Sequence, residues 1–308
     1  MPPPLPRIGV VIVTMGTRPR ELAALLASVA RQDVPATRVV LVGNATPLTD
    51  IPDDACGLPL TKLPLTENLG CPGGRNVGLT LLRDADADAV DVVVELDDDG
   101  LLIADDVFRT VQQRYARDPA LGIIGFRVAD EHGHTERRWV PRLRAGDPLR
   151  GGPVTAFLGG GHALSLPMLR HIGLWPAEFF FGHEESDLAW RALDAGWSIH
   201  YAPDLVLQHP RTSPARHAVY HRNTARNRVW LARRRLPAVL IPAHLGDVFK
   251  VPHGAHGARH APPSSRLRSS REVPPSPHRA KAQVRPVREL PPGAPRARTG
   301  HRGHRTGL

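Results

Sequence analysis

The sequence predicts an α/β protein, a doubly wound and mostly parallel sheet with helices on both faces, followed by a disordered basic tail. Three observations carry this. Short β-branched runs are apolar throughout rather than alternating, as strands covered on both faces require. Segments with apolar residues at helical spacing separate those runs, so strand and helix alternate along the first half. The composition then changes abruptly near residue 249.

Ile8–Thr14 (IGVVIVT) is the first buried strand. From Pro19 to Arg31 the residues Leu22, Leu25, Leu26 and Val29 recur at helical spacing, with Pro19 suited to a first helical position. Val39–Gly43 (VVLVG) is a second strand and Thr61–Leu65 a weaker third. A helix is expected over about Gly74–Asp84, a strand over Val90–Leu96, a helix over Asp105–Arg117 and a strand over Leu121–Val128. The second half is less regular. A glycine run at Gly159–Gly161 precedes a short helix at Pro167–Ile172, and the aromatic segment Phe179–Phe181 precedes a helix at Ser186–Ala195 capped by Ser186. Short strands at Ser198–Ala202 and Leu205–Gln208 follow, then a helix at Tyr220–Arg235. This divides the chain into a domain over 1–248, with a nucleotide-binding half at about 8–130 and a catalytic half at about 131–248, and a tail over 249–308.

Charge is distributed to match. Residues 1–250 hold 28 Lys/Arg and 28 Asp/Glu, while residues 251–308 hold 12 and 2, so the formal net charge of +10 lies wholly in the tail. That segment has ten prolines and no aromatic residue after Phe249, too little apolar surface to offset the entropy of ordering. Eleven arginines, a single lysine and no periodicity set it apart from a selected basic tail, and translation out of the original reading frame would account for it. Without aromatics to stack bases, the tail argues against a nucleic-acid partner. Two cysteines are too few for a disulfide framework, and the opening residues lack a secretory pattern. The expected setting is the cytoplasm, with room for peripheral association at the inner face of a membrane.

In open parallel sheets ligands bind beyond the carboxyl ends of the strands. Three loops stand there: Thr14-Met-Gly-Thr-Arg18, Gly43-Asn44-Ala-Thr46, and Asp97-Asp98-Asp99-Gly100. Adjacent carboxylates repel one another and need a positive partner, for which a divalent cation such as Mn²⁺ or Mg²⁺, held by one or two carboxylates with diphosphate oxygens, is suited. A second acidic group, Glu184, Glu185 and Asp187, opens the helix after the aromatic segment. Acids at a helix start also stabilise it without doing chemistry.

Read together, these stretches resemble a family-2 glycosyltransferase of the GT-A fold, of the rhamnosyl- and galactofuranosyl-transferase-like kind. The pieces occur in family order from Ile8 to about Pro237: VVIVTMGTRPRELAALLASVARQ, VVLVGNAT, ENLGCPGGRNVGL, VELDDDG, GGGHAL, GLWPAEFFFGHEESDLAWRALDAGW and QHP. The resemblance implies transfer of a sugar from a nucleotide diphosphate donor of UDP or dTDP type to an acceptor hydroxyl on a glycan, lipid or natural product, with inversion. Its Asp-x-Asp motif falls on Asp97 and Asp99, placing Asp97 on the nucleotide side and Asp99 on the metal. Its later histidine falls on His209, a second metal ligand, and its acidic pair on Glu184 and Glu185. Glu185 then takes the base position, where relatives more often have Asp, and Asp187 is the rival. Thr14, Arg18, Asn44, Arg75, Asn76, Asp97 and Asp98 fall on the donor side, and Gly160, Gly161, Trp175 and Glu184 on the acceptor side. Asn44 replaces the family's more frequent Asp. A sugar nucleotidyltransferase is the alternative enzyme, but its first-strand loop should be glycine-rich, and TMGTRPR has one glycine. A nucleic-acid-binding protein acting through the tail is the other alternative.

Overall fold

The computed structural model describes residues 4–84, 90–142, 146–211 and 220–246. The expectations for the tail and its reading frame concern residues outside this set. Seven helices and nine strands form among the described residues: β1 (Ile8–Thr14), α1 (Pro19–Ala30), β2 (Arg38–Gly43), β3 (Leu60–Pro64), α2 (Gly70–Asp84), β4 (Val92–Asp97), β5 (Leu101–Leu102), α3 (Val107–Arg117), β6 (Leu121–Ala129), β7 (Gly152–Pro153), β8 (Gly161–Ser165), α4 (Leu166–Ile172), α5 (Glu184–Asp194), β9 (Ser198–Gln208), α6 (Tyr220–Arg235) and α7 (Ile241–Gly246).

The strands make one sheet in the order β3-β2-β1-β4-β8-β6-β9-β5, with β7 on β9. The first four are parallel, in register from Ile8 against Val92 and from Gly9 against Arg38. Alternate side chains of these strands enter opposite layers. Val10, Ile12, Leu41 and Val94 pack with Leu22, Leu25 and Phe108 of α1 and α3, while Val11, Val40 and Val93 pack with Leu79, Leu82, Met168 and Leu188 of α2, α4 and α5. This double burial is why the strand sequences do not alternate.

Several elements depart from the expectations. The Gly159–Gly161 stretch leads directly into β8, a fully buried strand antiparallel to β4 and β6, so the sheet is mixed at its centre. Two short strands expected at 198–208 are one, β9, whose register against β6 shifts between Phe126 and Arg127 to accommodate Pro203 and its neighbours. Helix α5 begins at Glu184, two residues before Ser186, so Ser186 lies inside the first turn and does not cap it. The cap position is His183, at φ 68°, which makes no side-chain capping bond.

Candidate active site

The three loops expected to share an edge do so. At the end of β4, Asp97, Asp99 and His209 bring one ligand atom each to within 4.8 Å of one another. His209 follows β9, whose terminal pair with Leu101 sets the histidine beside the acidic loop, with Nε2 3.2 Å from Asp99 Oδ1. Burial disfavours a charged His209, but the Asp99 hydrogen bond and carboxylate outweigh it and raise its pKa. Burial likewise opposes the Asp99 carboxylate, and His209 with Arg18 more than offsets this, holding its pKa low. Two carboxylates and an imidazole form a hard, oxygen-rich donor set, which fits Mn²⁺ or Mg²⁺.

Part of the positive charge that the acidic loop demands comes from the protein itself. Arg18 Nη1 lies 2.9 Å from Asp98 Oδ1 and 2.8 Å from Asp99 Oδ2. The Thr14 hydroxyl donates to Asp98 Oδ2 at 2.7 Å. Thr14, Arg18 and Asp98, expected at the donor, thus bind one another, and Asp98 faces inward while its neighbours face the metal-ligand cluster. Burial still raises the Asp98 pKa against both partners. Asn44 sits at the mouth of the same edge, donating to Asn68 Oδ1 at 3.0 Å and to the Gly70 carbonyl at 3.1 Å, while its own oxygen accepts from Leu69 N. It therefore ties the β2 loop to the start of α2.

Arg75 is the largest fully buried side chain among the described residues. Its Nη2 donates to Asp97 Oδ1 at 2.8 Å and to the Gly159 carbonyl, and its guanidinium stacks on Trp175 at 5.3 Å. Burial opposes its charge, yet Cys71 and the acids Asp97, Glu95 and Glu185 outweigh it and raise its pKa. Nη1 has no hydrogen-bond partner among the described residues. Below the stack lies a polar group that the sequence reading missed. Buried Glu95 accepts from Trp175 Nε1 at 3.0 Å and lies 2.7 Å from His162 Nε2, with His162 fully buried in β8. Trp175 and Asn76, expected at acceptor and donor, turn to one another. The Asn76 amide donates to the Trp175 carbonyl and accepts from its N–H, both at 2.9 Å.

Glu185 approaches this arrangement from α5. A Cβ on Gly159 would meet Glu185 Oε1 and sit 3.4 Å from Arg75 Nη1, so any larger residue there would push the Glu185 carboxylate out of this corner. Gly160 lies against Asp97 and His209, whereas Gly161 is a packing residue whose Cβ would strike Leu207. Burial raises the Glu185 pKa despite the Arg75 charge. Glu184 is 2% exposed, and burial together with repulsion from Glu185 pushes its pKa up to about 8. Asp187 is differently placed, with both oxygens in ion pairs: Arg191 Nε at 2.8 Å and Arg235 Nε at 2.7 Å. It joins α5 to α6.

The turn that delivers Glu184 and Glu185 has unusual backbone. Phe180, Gly182 and His183 have φ of 64°, 89° and 68°. For the two non-glycine residues that conformation costs on the order of 1–3 kcal/mol each and survives only where surrounding contacts impose it. Gly70 at the start of α2 permits close approach, since any Cβ there would collide with the Phe180 carbonyl.

Comparison with known proteins agrees with this architecture. No family model and no curated protein matches the chain. Among solved structures it is similar to the mannosyltransferase PcManGT of Pyrobaculum calidifontis, determined with GDP-Man and Mn²⁺, at TM-score 0.54 and 21% identity over 80% of this chain and 70% of that one. It is also similar to TarS 1–349 of S. aureus with UDP-GlcNAc, at TM-score 0.58 and 16% identity over 79% and 71%. GalNAc-T7 with UDP, GalNAc and Mn²⁺ matches at TM-score 0.58 and 14% identity over 74% of this chain, which spans only 48% of GalNAc-T7. Among the described residues no helix is long and apolar enough to cross a membrane. With its mixed central sheet and its acidic loop after β4, the chain has the GT-A-type fold of these glycosyltransferases.

Proposed function

We propose that this chain is an inverting, metal-dependent glycosyltransferase that moves a sugar from a nucleotide diphosphate sugar to an acceptor hydroxyl. One observation supports the reading above others: a three-ligand candidate cation site (Asp97, Asp99, His209) and a half-buried carboxylate on another element (Glu185) converge on one corner, with Arg75 between them. A divalent ion held by Asp97, Asp99 and His209 would neutralise charge on a departing diphosphate.

Glu185 is the base. It accepts the acceptor's hydroxyl proton as that oxygen bonds to the anomeric carbon, while the bond from that carbon to the diphosphate oxygen breaks with its electron pair. One displacement inverts the centre. A raised pKa makes Glu185 a better proton acceptor, and the Arg75 charge favours its ionised form. Arg75 also fixes Asp97 by a hydrogen bond, so one guanidinium meets the donor side directly and the base side through its charge. Asn76 and Trp175 position that guanidinium from behind. Thr14, Arg18 and Asp98 shape the donor edge, and UDP or dTDP donors are the expected class, with GDP-mannose in the panel because PcManGT was determined with GDP-Man.

The test is hydrolysis or transfer across a panel of UDP-, dTDP- and GDP-sugars with Mn²⁺, Mg²⁺ or chelator. Glu185→Gln should slow transfer by about 10²–10⁴-fold while nucleotide binding persists. Turnover in excess chelator, or a Glu185→Gln chain at wild-type rate, would refute the proposal.

A further inference from the structure

Helix α6 is six arginines, two asparagines and no acid across Tyr220–Arg235, a pattern that suggests a solvated basic face. The structure leaves Arg222, Arg233 and Arg234 exposed but buries the opposite edge at Asn223, Asn227, Leu231 and Ala232. Asn227 is fully buried, and its Nδ2 reaches three backbone carbonyls of the turn before α5: Phe179 at 2.8 Å, Phe181 at 3.1 Å and Gly182 at 2.7 Å. An amide has two hydrogens, so these are shared among three acceptors. Its oxygen accepts from Arg226 Nε at 3.0 Å, which fixes which end of the amide faces the turn. Arg226 Nη2 donates to the Phe179 carbonyl as well, at 2.8 Å, and from the opposite side Cys71 N donates to the Phe180 carbonyl at 2.9 Å.

These bonds fall on the segment where the backbone is held in its least favourable conformations, at Phe180, Gly182 and His183. No side chain of the segment's own caps α5. Buried carbonyls of such a turn need donors: Cys71 N–H meets that of Phe180, Asp187 N–H that of His183, and Asn227 brings one amide to those of Phe179, Phe181 and Gly182, the widest single hold on the segment from another element. The next residues in the chain are Glu184 and Glu185.

We infer that Asn227 is a positioning residue for transfer: from α6 it locks the strained turn at 179–183 and thereby sets where Glu185 stands. It touches neither donor nor acceptor. The inference rests on Glu185 being the base, and it makes α6, outside the nucleotide-binding half, a determinant of catalytic rate.

Two measurements test it on the full chain. Hydrogen exchange should show the amides of residues 181–185 exchanging faster in Asn227→Ser than in wild type, with β1, β2 and β4 unchanged. With Mn²⁺ and whichever of the UDP-, dTDP- and GDP-sugars proves active, the same substitution should lower kcat by about 10- to 100-fold while donor KM stays within about twofold, the signature of a misplaced group rather than a lost binding contact. In a Glu185→Gln background it should then cost less than about twofold, because the misplaced carboxylate is already absent. Unchanged exchange at 181–185, or losses that multiply in the double variant, would overturn the inference. Should Asn227→Ser fail to fold, Arg226→Gln removes the bond that orients the amide and is expected to give the same two results. A fully active Glu185→Gln chain would instead refute the base assignment, and the exchange measurement alone would then decide whether Asn227 holds the turn.

Discussion

Replacing Glu184 with Gln should stabilise this protein, by an amount that depends on pH. Glu184 is 2% exposed, its Oε2 has no hydrogen-bond partner among the described residues, and its pKa is pushed from 4.5 up to about 8 by burial and by Glu185. A folded-state pKa above the unfolded one favours the folded protein only while both states are protonated. As pH rises past 4.5 the unfolded chain loses its proton and gains solvation that the folded chain forgoes. The cost grows by about 1.4 kcal/mol per pH unit until pH reaches about 8, giving about 1 kcal/mol at pH 5 and about 3 kcal/mol at pH 7. Gln has the shape of the protonated acid and no proton to lose. Glu184→Gln should therefore melt close to wild type at pH 4.5 and about 6–12 °C above it at pH 7, on the scale expected for a domain of this size. Thermal unfolding without metal or nucleotide, at pH 4.5, 6, 7 and 8, measures it. A gain of the same size at every pH would trace the effect to packing, and no gain at pH 7 would refute the argument. Such a gain would also mark Glu184 as a residue kept at the expense of stability, as functional sites often require.

Other outcomes follow from the same geometry. Asp187→Asn breaks two ion pairs in which the acid is buried, so it should lower stability by about 3–5 kcal/mol, seen in denaturant unfolding, while rate per folded molecule falls far less than in Glu185→Gln. Asp99→Ala removes one ligand of the cation site, and calorimetric titration with Mn²⁺ should lose the binding seen in wild type, with turnover lost alongside. Gly70→Ala places a methyl against the Phe180 carbonyl, so it should slow transfer by about tenfold or more through the displaced turn, whereas Gly133→Ala, at a positive φ in open space, should leave kcat unchanged. Because the Glu185 pKa is raised, kcat/KM should decline with falling pH at a higher pH than an ordinary glutamate would give, and an acid limb at or below the ordinary Glu value would contradict that environment.

Much of the scaffold was legible before folding. The run IGVVIVT, the Leu22, Leu25, Leu26 and Val29 stripe and the acids after VVVEL each state a local preference, and local preference is what a sequence pattern reports. By itself the sequence determined the parallel half of the sheet and the loops that share its edge, and the family resemblance pointed to Asp99 and His209 for the metal and Glu185 for the base; Asp97, expected on the nucleotide side, joins the Asp99 and His209 cluster only in the structure. It was silent where partners are distant in the chain. Glu95 inside a buried strand was a readable signal that some donor must meet it, but not that His162 and Trp175 would. The resemblance favoured Glu185 and left Asp187, an acid of the same helix turn, as its rival. Their surroundings differ in the structure: Arg191 of α5 and Arg235 of α6 occupy the Asp187 carboxylate, while Glu185 faces Arg75 across Gly159. The antiparallel strand β8, hidden behind three glycines, and the hold of Asn227 on the turn at 179–183 are of the same kind. Both depend on which surfaces meet, and that is decided by burial and hydrogen-bond pairing between segments far apart in sequence, which no local periodicity encodes.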